Sequence, residues 1–234
     1  MLRLPEWLER YRSLPGSVRC FAAGQFLISL ITSAQFLLLN LFLKEKGLDD
    51  PAIAALSSQR FVATFFLALP AGLWLRGKPL RVPMLIGSVL FPLSALASLE
   101  AVRLGMMPLA SWCFLSMGFS GLLLNVGGLP MALRLAPKDH SSETLSLLFA
   151  TWAAASICGG LLSAGLQAIG RIDFGSIHVV FNEYTTLLVL TLAAFAAPVF
   201  YWKLPDPVPE GPQADHWLHV HREDWPVLTR ALLP

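Results

Sequence analysis

Six long apolar stretches constrain what this chain can fold into. They lie at about 21–43, 52–75, 82–102, 108–133, 145–169 and 184–202. Each reaches the roughly 20 residues that an α-helix needs to cross a bilayer, and none has the polar face of a soluble helix of that length. Several contain proline (Pro70, Pro92, Pro130, Pro198), which a membrane helix tolerates when its neighbours re-satisfy the backbone. The pattern predicts an all-α, polytopic membrane protein with six transmembrane helices. Composition points the same way. The chain is 55% hydrophobic and 14% charged, whereas soluble domains carry about 25% charge.

The flanks divide the chain into three parts. Residues 1–20 read as an amphipathic arm at the membrane surface. Charges and Pro15 interrupt any signal-peptide core there, and the apolar run that follows is too long for one. Residues 21–202 hold the six spans. Residues 203–234 read as a cytoplasmic linker that is proline-rich over 204–213 and leads toward a seventh span. His216, His219 and His221 lie in this last part. Their spacing does not put two on one helical face, and no metal site or cofactor is expected. Cys20, Cys113 and Cys158 fall in or beside apolar segments and read as small packing residues. The net charge of +2 gives no hint of a nucleic-acid partner.

Lys and Arg set the expected orientation. The arm, the 2–3 and 4–5 connections and the tail together carry twelve of them, against four on the opposite face. Both termini are therefore expected in the cytoplasm, with the protein in the cell membrane.

The stretch SMGFSG (116–121) raises an enzymatic alternative. Rhomboid-type intramembrane serine proteases also have six spans, with GxSG in the fourth. Ser120 would be the nucleophile, and a nucleophilic serine needs a base. The sixth span has neither a histidine nor a glycine, and His140 and His178 lie in connections. The other reading makes Gly118 and Gly121 close-packing points between helices. No enzymatic activity is expected. A non-transporting membrane scaffold is a further alternative.

A second resemblance covers nearly the whole chain. LLLNLFLKEKGLDDPAIAALSSQRFVATFFLALPAGLWLRGKPLR resembles the first two helices and 2–3 loop of the major facilitator superfamily. LRLAPKDHSSETLSLLFATWAAASICGGLLSAGL resembles its 4–5 loop and fifth helix. The family's 2–3 pattern is G-x-x-x-D-R-x-G-R-R. Gly72 and the positive character of Arg76, Lys78 and Arg81 match it, while Arg76 stands where an Asp is expected and Pro79 replaces the second glycine. The resemblance implies one six-helix bundle of a twelve-span solute carrier. It also implies a second six-helix half as partner, a small-molecule solute as cargo, and Gly72, Arg76 and Arg81 as a gating loop.

Polar side chains inside apolar spans are costly and usually face the bundle interior. Span 1 offers Gln25, Gln35 and Asn40. Span 2 offers Gln59 and Arg60, span 4 Asn125, and span 5 Thr151 and Gln167. Gln35, Arg60 and Asn125 are the candidate substrate-binding residues. Arg60 is some eight residues into its span, about 12 Å at 1.5 Å per residue. It reads either as a counter-ion for an anionic substrate or as a side chain snorkelling to the headgroups. No Asp or Glu lies in the middle of a span. Ala155, Gly159 and Ser163, four residues apart, form a packing stripe on span 5. For the orientation, the expected outcome is that a tag at Lys46 or within 172–182 is inaccessible from the cytoplasm. Cytoplasmic labelling of either site would invert it.

Overall fold

The computed structural model describes residues 11, 14–75, 78–137, 140–174 and 177–205, with backbone alone over 172–179. The chain forms α1 (Gly16–Glu45), α2 (Asp50–Leu75), α3 (Arg81–Arg103), α4 (Met107–Leu135) and α5 (Ser141–Ile169). A hairpin of β1 (Arg171–Phe174) and β2 (Ile177–Val180) follows, and then α6 (Glu183–Ala194) and α7 (Ala197–Trp202). Six segments are long and apolar enough to cross a membrane, the sixth being Glu183–Trp202. The protein is an all-α, multi-pass membrane protein with one small extramembrane hairpin. Residues 1–10 of the expected surface arm and residues 206–234 of the tail, including its histidines, lie outside the described residues.

The helices run further than the apolar stretches suggest, because their ends carry stop and start signals. α1 ends with Gly47 N–H bonded to Lys44 O at 3.0 Å and Leu48 N–H to Leu43 O at 3.2 Å. α3 ends with Gly105 N–H to Val102 O at 3.0 Å and Met106 N–H to Ala101 O at 2.8 Å. Both are Schellman closures, which need a left-handed residue; Gly47 and Gly105 supply φ +83° and +73°. α6 starts with a capping box. The Asn182 side chain accepts from Thr185 N–H at 3.0 Å, and the Thr185 hydroxyl accepts from Asn182 N–H at 2.9 Å.

At its beginning α1 takes in residues 16–20, the last part of the expected surface arm. The sixth span differs from the sequence expectation in being broken at Phe195–Ala196. Pro198 lacks an N–H and its ring crowds the carbonyl four residues back, which is that of Ala194, the last residue of α6. Pro70, Pro92 and Pro130 sit inside unbroken helices.

α3 packs chiefly on α4, α2 on α4, and α5 on α1, while α6 and α7 close the back between α1 and α3. Small residues make these approaches possible. A Cβ at Gly118 of α4 would lie 2.0 Å from the carbonyl oxygen of Arg60. One at Gly159 of α5 would lie 2.9 Å from Leu30 O on α1. Ala155, Gly159 and Ser163 are all buried, as the stripe predicts. Phe65 (77% exposed) and Leu69 (80% exposed) face outward on α2, where lipid would meet them.

At the end of the bundle that carries the hairpin, Tyr184 donates its hydroxyl to Glu100, and Arg103 pairs with the same carboxylate at 2.6 Å. This joins the end of α3 to the start of α6. At the opposite end Arg81 donates to the Trp202 carbonyl, with its guanidinium 5.3 Å from that ring.

Gly118→Ala is expected to push α2 off α4 and to cost about 3 kcal/mol, at the upper end of overpacking effects. At Gly121 a Cβ would meet Phe91 at an ordinary 3.7 Å, so Gly121→Ala should be neutral or mildly stabilising through helix propensity. Thermal melting of the purified variants in detergent checks both. Equal melting points would remove Gly118 as the packing constraint.

Candidate functional site

One polar residue from each of the first, second and fourth spans converges on a single cleft. Gln35, Arg60 and Asn125 line it together with Thr32, Phe36, Thr64, Phe91 and Gly121; its volume is about 100 Å³. It opens into a second compartment of about 250 Å³ that shares Thr32, Phe36, Phe91, Gly121 and Asn125 and adds Gln25, Ser29, Ser33, Trp152 and Ser156. The site therefore lies between α1, α2, α4 and α5, with Phe91 of α3 at its base.

Helix position gives its depth. Gln35 lies ten residues in from Glu45, and Arg60 ten residues in from Asp50, each at the hairpin end of its helix. Asn125 lies ten residues from Leu135, at the opposite end of α4. At 1.5 Å per residue each lies about 15 Å from its helix end, inside helices that are themselves longer than a ~30 Å hydrocarbon core.

Arg60 is held in place from two directions. Its backbone is pressed against Gly118. Its guanidinium sits among three aromatic rings, 5.3 Å from the centroid of Phe36 on α1 and 6.0 Å from those of Phe61 on α2 and Phe114 on α4. Nε donates to Ser57 O at 3.4 Å, a long bond to its own helix. No salt bridge to Arg60 occurs among the described residues. Cation–π contacts contribute about 0.5–2 kcal/mol each. Three of them match the ~2.5–3.5 kcal/mol cost of inserting an arginine at mid-membrane. The side chain thus turns inward between α1 and α4, not outward toward lipid.

Gln35 is buried, and its Oε1 accepts no hydrogen bond from the described residues. Asn125 is exposed on the open side of the cleft. Gln25 is buried, with Nε2 3.2 Å from where a Cβ at Gly128 would lie. The remaining polar candidates lie elsewhere. Asn40 accepts from Ser57 at 3.5 Å, Gln59 donates to Ser111 at 3.4 Å, and Thr151 donates to Leu147 O of its own helix at 2.7 Å. The amide nitrogen of Gln167 is buried without a partner among the described residues.

Of the expected gating residues, Gly72 and Arg81 are among the described residues. Gly72 is an exposed position within α2, with nothing within 4 Å of its missing side chain. Arg76 lies outside the described residues. Arg81 opens α3 and is engaged by Trp202. The 2–3 connection itself is tied to α4, because Arg134 donates to Lys78 O at 2.9 Å. Ser120 is fully buried and donates to Met117 O at 2.9 Å, so its hydroxyl faces the turn of its own helix.

Ser29, Ser33, Trp152 and Ser156 went unread in the sequence as site residues. A signal was present: Gln25, Ser29, Thr32 and Phe36 fall on one α1 face at the i, i+4, i+7, i+11 spacing of a helix. Neither a comparison with protein-family models nor one with curated protein sequences finds a match.

Arg60→Gln is expected to insert and fold with stability changed by about 1 kcal/mol or less, because the insertion cost and the ring contacts it removes nearly cancel. Melting of the purified variant checks this. Failure to insert would make Arg60 a structural residue.

Proposed function

We propose that this chain is one six-helix half of a solute carrier of the major facilitator type. It would move a small solute by alternating access, with two bundles rocking about a site near the bilayer midplane. The observation that carries the reading is the cleft. Gln35, Arg60 and Asn125, from three different helices, line one cavity within the apolar, membrane-spanning part of those helices. Polar groups at that depth are disfavoured against lipid and are accounted for by a water-filled or solute-filled path.

The layout of the helices supports the same reading. α2 and α5 are the least enclosed helices and border the cleft on opposite sides. The cleft therefore opens on a face that a second bundle would cover. We assign both termini to the cytoplasm and the protein to the cell membrane, on the distribution of Lys and Arg. The solute and a second six-helix half are the proposed partners, and no covalent chemistry is part of the proposed activity. One bundle supplies one wall of the cavity, so the chain alone should bind solute without moving it across a vesicle membrane.

The deciding measurement is water access to the cleft. In a background with Cys20, Cys113 and Cys158 replaced by serine or alanine, Asn125→Cys and Ser156→Cys are expected to react with a hydrophilic maleimide in intact membranes. Phe65→Cys, on the outward face of α2 and ten residues from its Leu75 end as Asn125 is from Leu135, should stay unreacted. Protection of both cleft positions would mean that lipid covers this face, and the carrier proposal would fail.

A further inference from the structure

We propose that the cleft takes a hydroxylated organic anion. Its carboxylate would sit against Arg60, and its hydroxylated body would extend along α1 toward Trp152. The proposal rests on the carrier reading above and names the substrate class of the same site.

Charge comes first. Arg60 is the sole ionisable side chain lining either compartment among the described residues. A guanidinium stays protonated in proteins. A cationic ligand would meet repulsion with no carboxylate to offset it, and the amine of a zwitterion would have no partner. Among the described residues only Nε of Arg60 is hydrogen-bonded, to Ser57 O. Its two terminal nitrogens are left in the fork geometry that suits a carboxylate. One arginine matches one negative charge, which favours a carboxylate over a dianionic phosphate.

The remaining lining gives the body of the ligand. Gln35 Oε1 is a buried acceptor that lacks a donor among the described residues. Ser29 and Ser33 border the larger compartment and make no hydrogen bond among the described residues. Ser156 donates to Trp152 O at 2.9 Å and keeps its acceptor capacity. Hydroxyls and amides that both donate and accept are complementary to ligand hydroxyls, which do the same. Trp152 lies at the far compartment, braced edge-on by Phe149 at 5.2 Å, and offers an aromatic surface for the C–H face of a carbon chain. Because the two compartments adjoin along five shared lining residues, the site is elongated. An inorganic anion would leave the larger part empty.

Three probes separate the elements of the proposal, using the full chain in lipid nanodiscs and isothermal titration. Gluconate has the charge and the hydroxyls, hexanoate only the charge, and glucitol only the hydroxyls. Gluconate is expected to bind about tenfold or more tightly than either of the others, since charge-assisted hydrogen bonds are lost with glucitol and unpaired polar groups remain with hexanoate. Arg60→Gln should weaken gluconate by about tenfold and leave glucitol unchanged. Arg60→Lys should retain part of the gluconate preference, which separates charge from fold. Hexanoate binding as tight as gluconate would overturn the hydroxylated body. Equal binding of glucitol would overturn the anion assignment and leave the carrier reading standing. Binding of none of the three would overturn the proposal altogether. The carrier reading would then be judged on thiol accessibility, which involves no solute.

Discussion

The approach of α2 to α4 at Gly118 is the contact on which the remaining geometry depends. In lipid there is little hydrophobic drive for one apolar helix to seek another, so association rests on packing and on hydrogen bonds. The carbonyl of Arg60 occupies space that any side chain at position 118 would fill. The residue that makes this backbone contact also carries the charge of the cleft. Its depth and direction are therefore fixed by helix packing, and a long flexible side chain is given a defined origin. On the other flank Gly159 meets the backbone of α1 at Leu30 in the same way. The two outer helices are thus each set by one small residue against an inner partner, with the cleft between them.

The electrostatics of the cleft follow from that placement. A buried arginine is normally stabilised by a carboxylate, and an ion pair would occupy the donors. Here Phe36, Phe61 and Phe114 surround the guanidinium instead. Aromatic faces offset the desolvation of the charge without accepting its hydrogen bonds. The charge is tolerated while its directional bonding capacity stays available. Gln35, buried with a carbonyl oxygen that accepts no hydrogen bond from the described residues, adds a second group with spare bonding capacity.

Much of this was legible from residue order because lipid simplifies the rules. Length and apolar content gave the six spans, and the rarity of polar residues inside them singled out Gln35, Arg60 and Asn125, which line one cleft. Ala155, Gly159 and Ser163 were legible as a stripe for the same reason. Gly118 and Gly121 were not separable by pattern. Both belong to one short motif and border the cleft, yet one abuts the backbone of Arg60 and the other only the ring of Phe91, a distinction set by the crossing of α2 over α4. The serines of α1 were overlooked because serine is common in packed membrane helices. What distinguishes Ser29 and Ser33 is the neighbour they lack. The hairpin over 171–180 was read as a plain connection, since four-residue strands leave almost no periodicity to detect.

The short helix after the Pro198 break has a mechanical consequence. Tyr201 is fully buried with its ring against Gly24, at 3.0 Å from the site of a Cβ there. Cys20 donates its thiol to Phe200 O at 3.4 Å, and Arg81 grips the carbonyl of Trp202. α7 is thereby anchored to the start of α1 and the start of α3 at once. A chain end fastened at several points does not fray under load; it transmits it. A force applied at α7 would therefore be passed to α1, the helix that lines the cleft, through Tyr201 against Gly24 and Phe200 against Cys20.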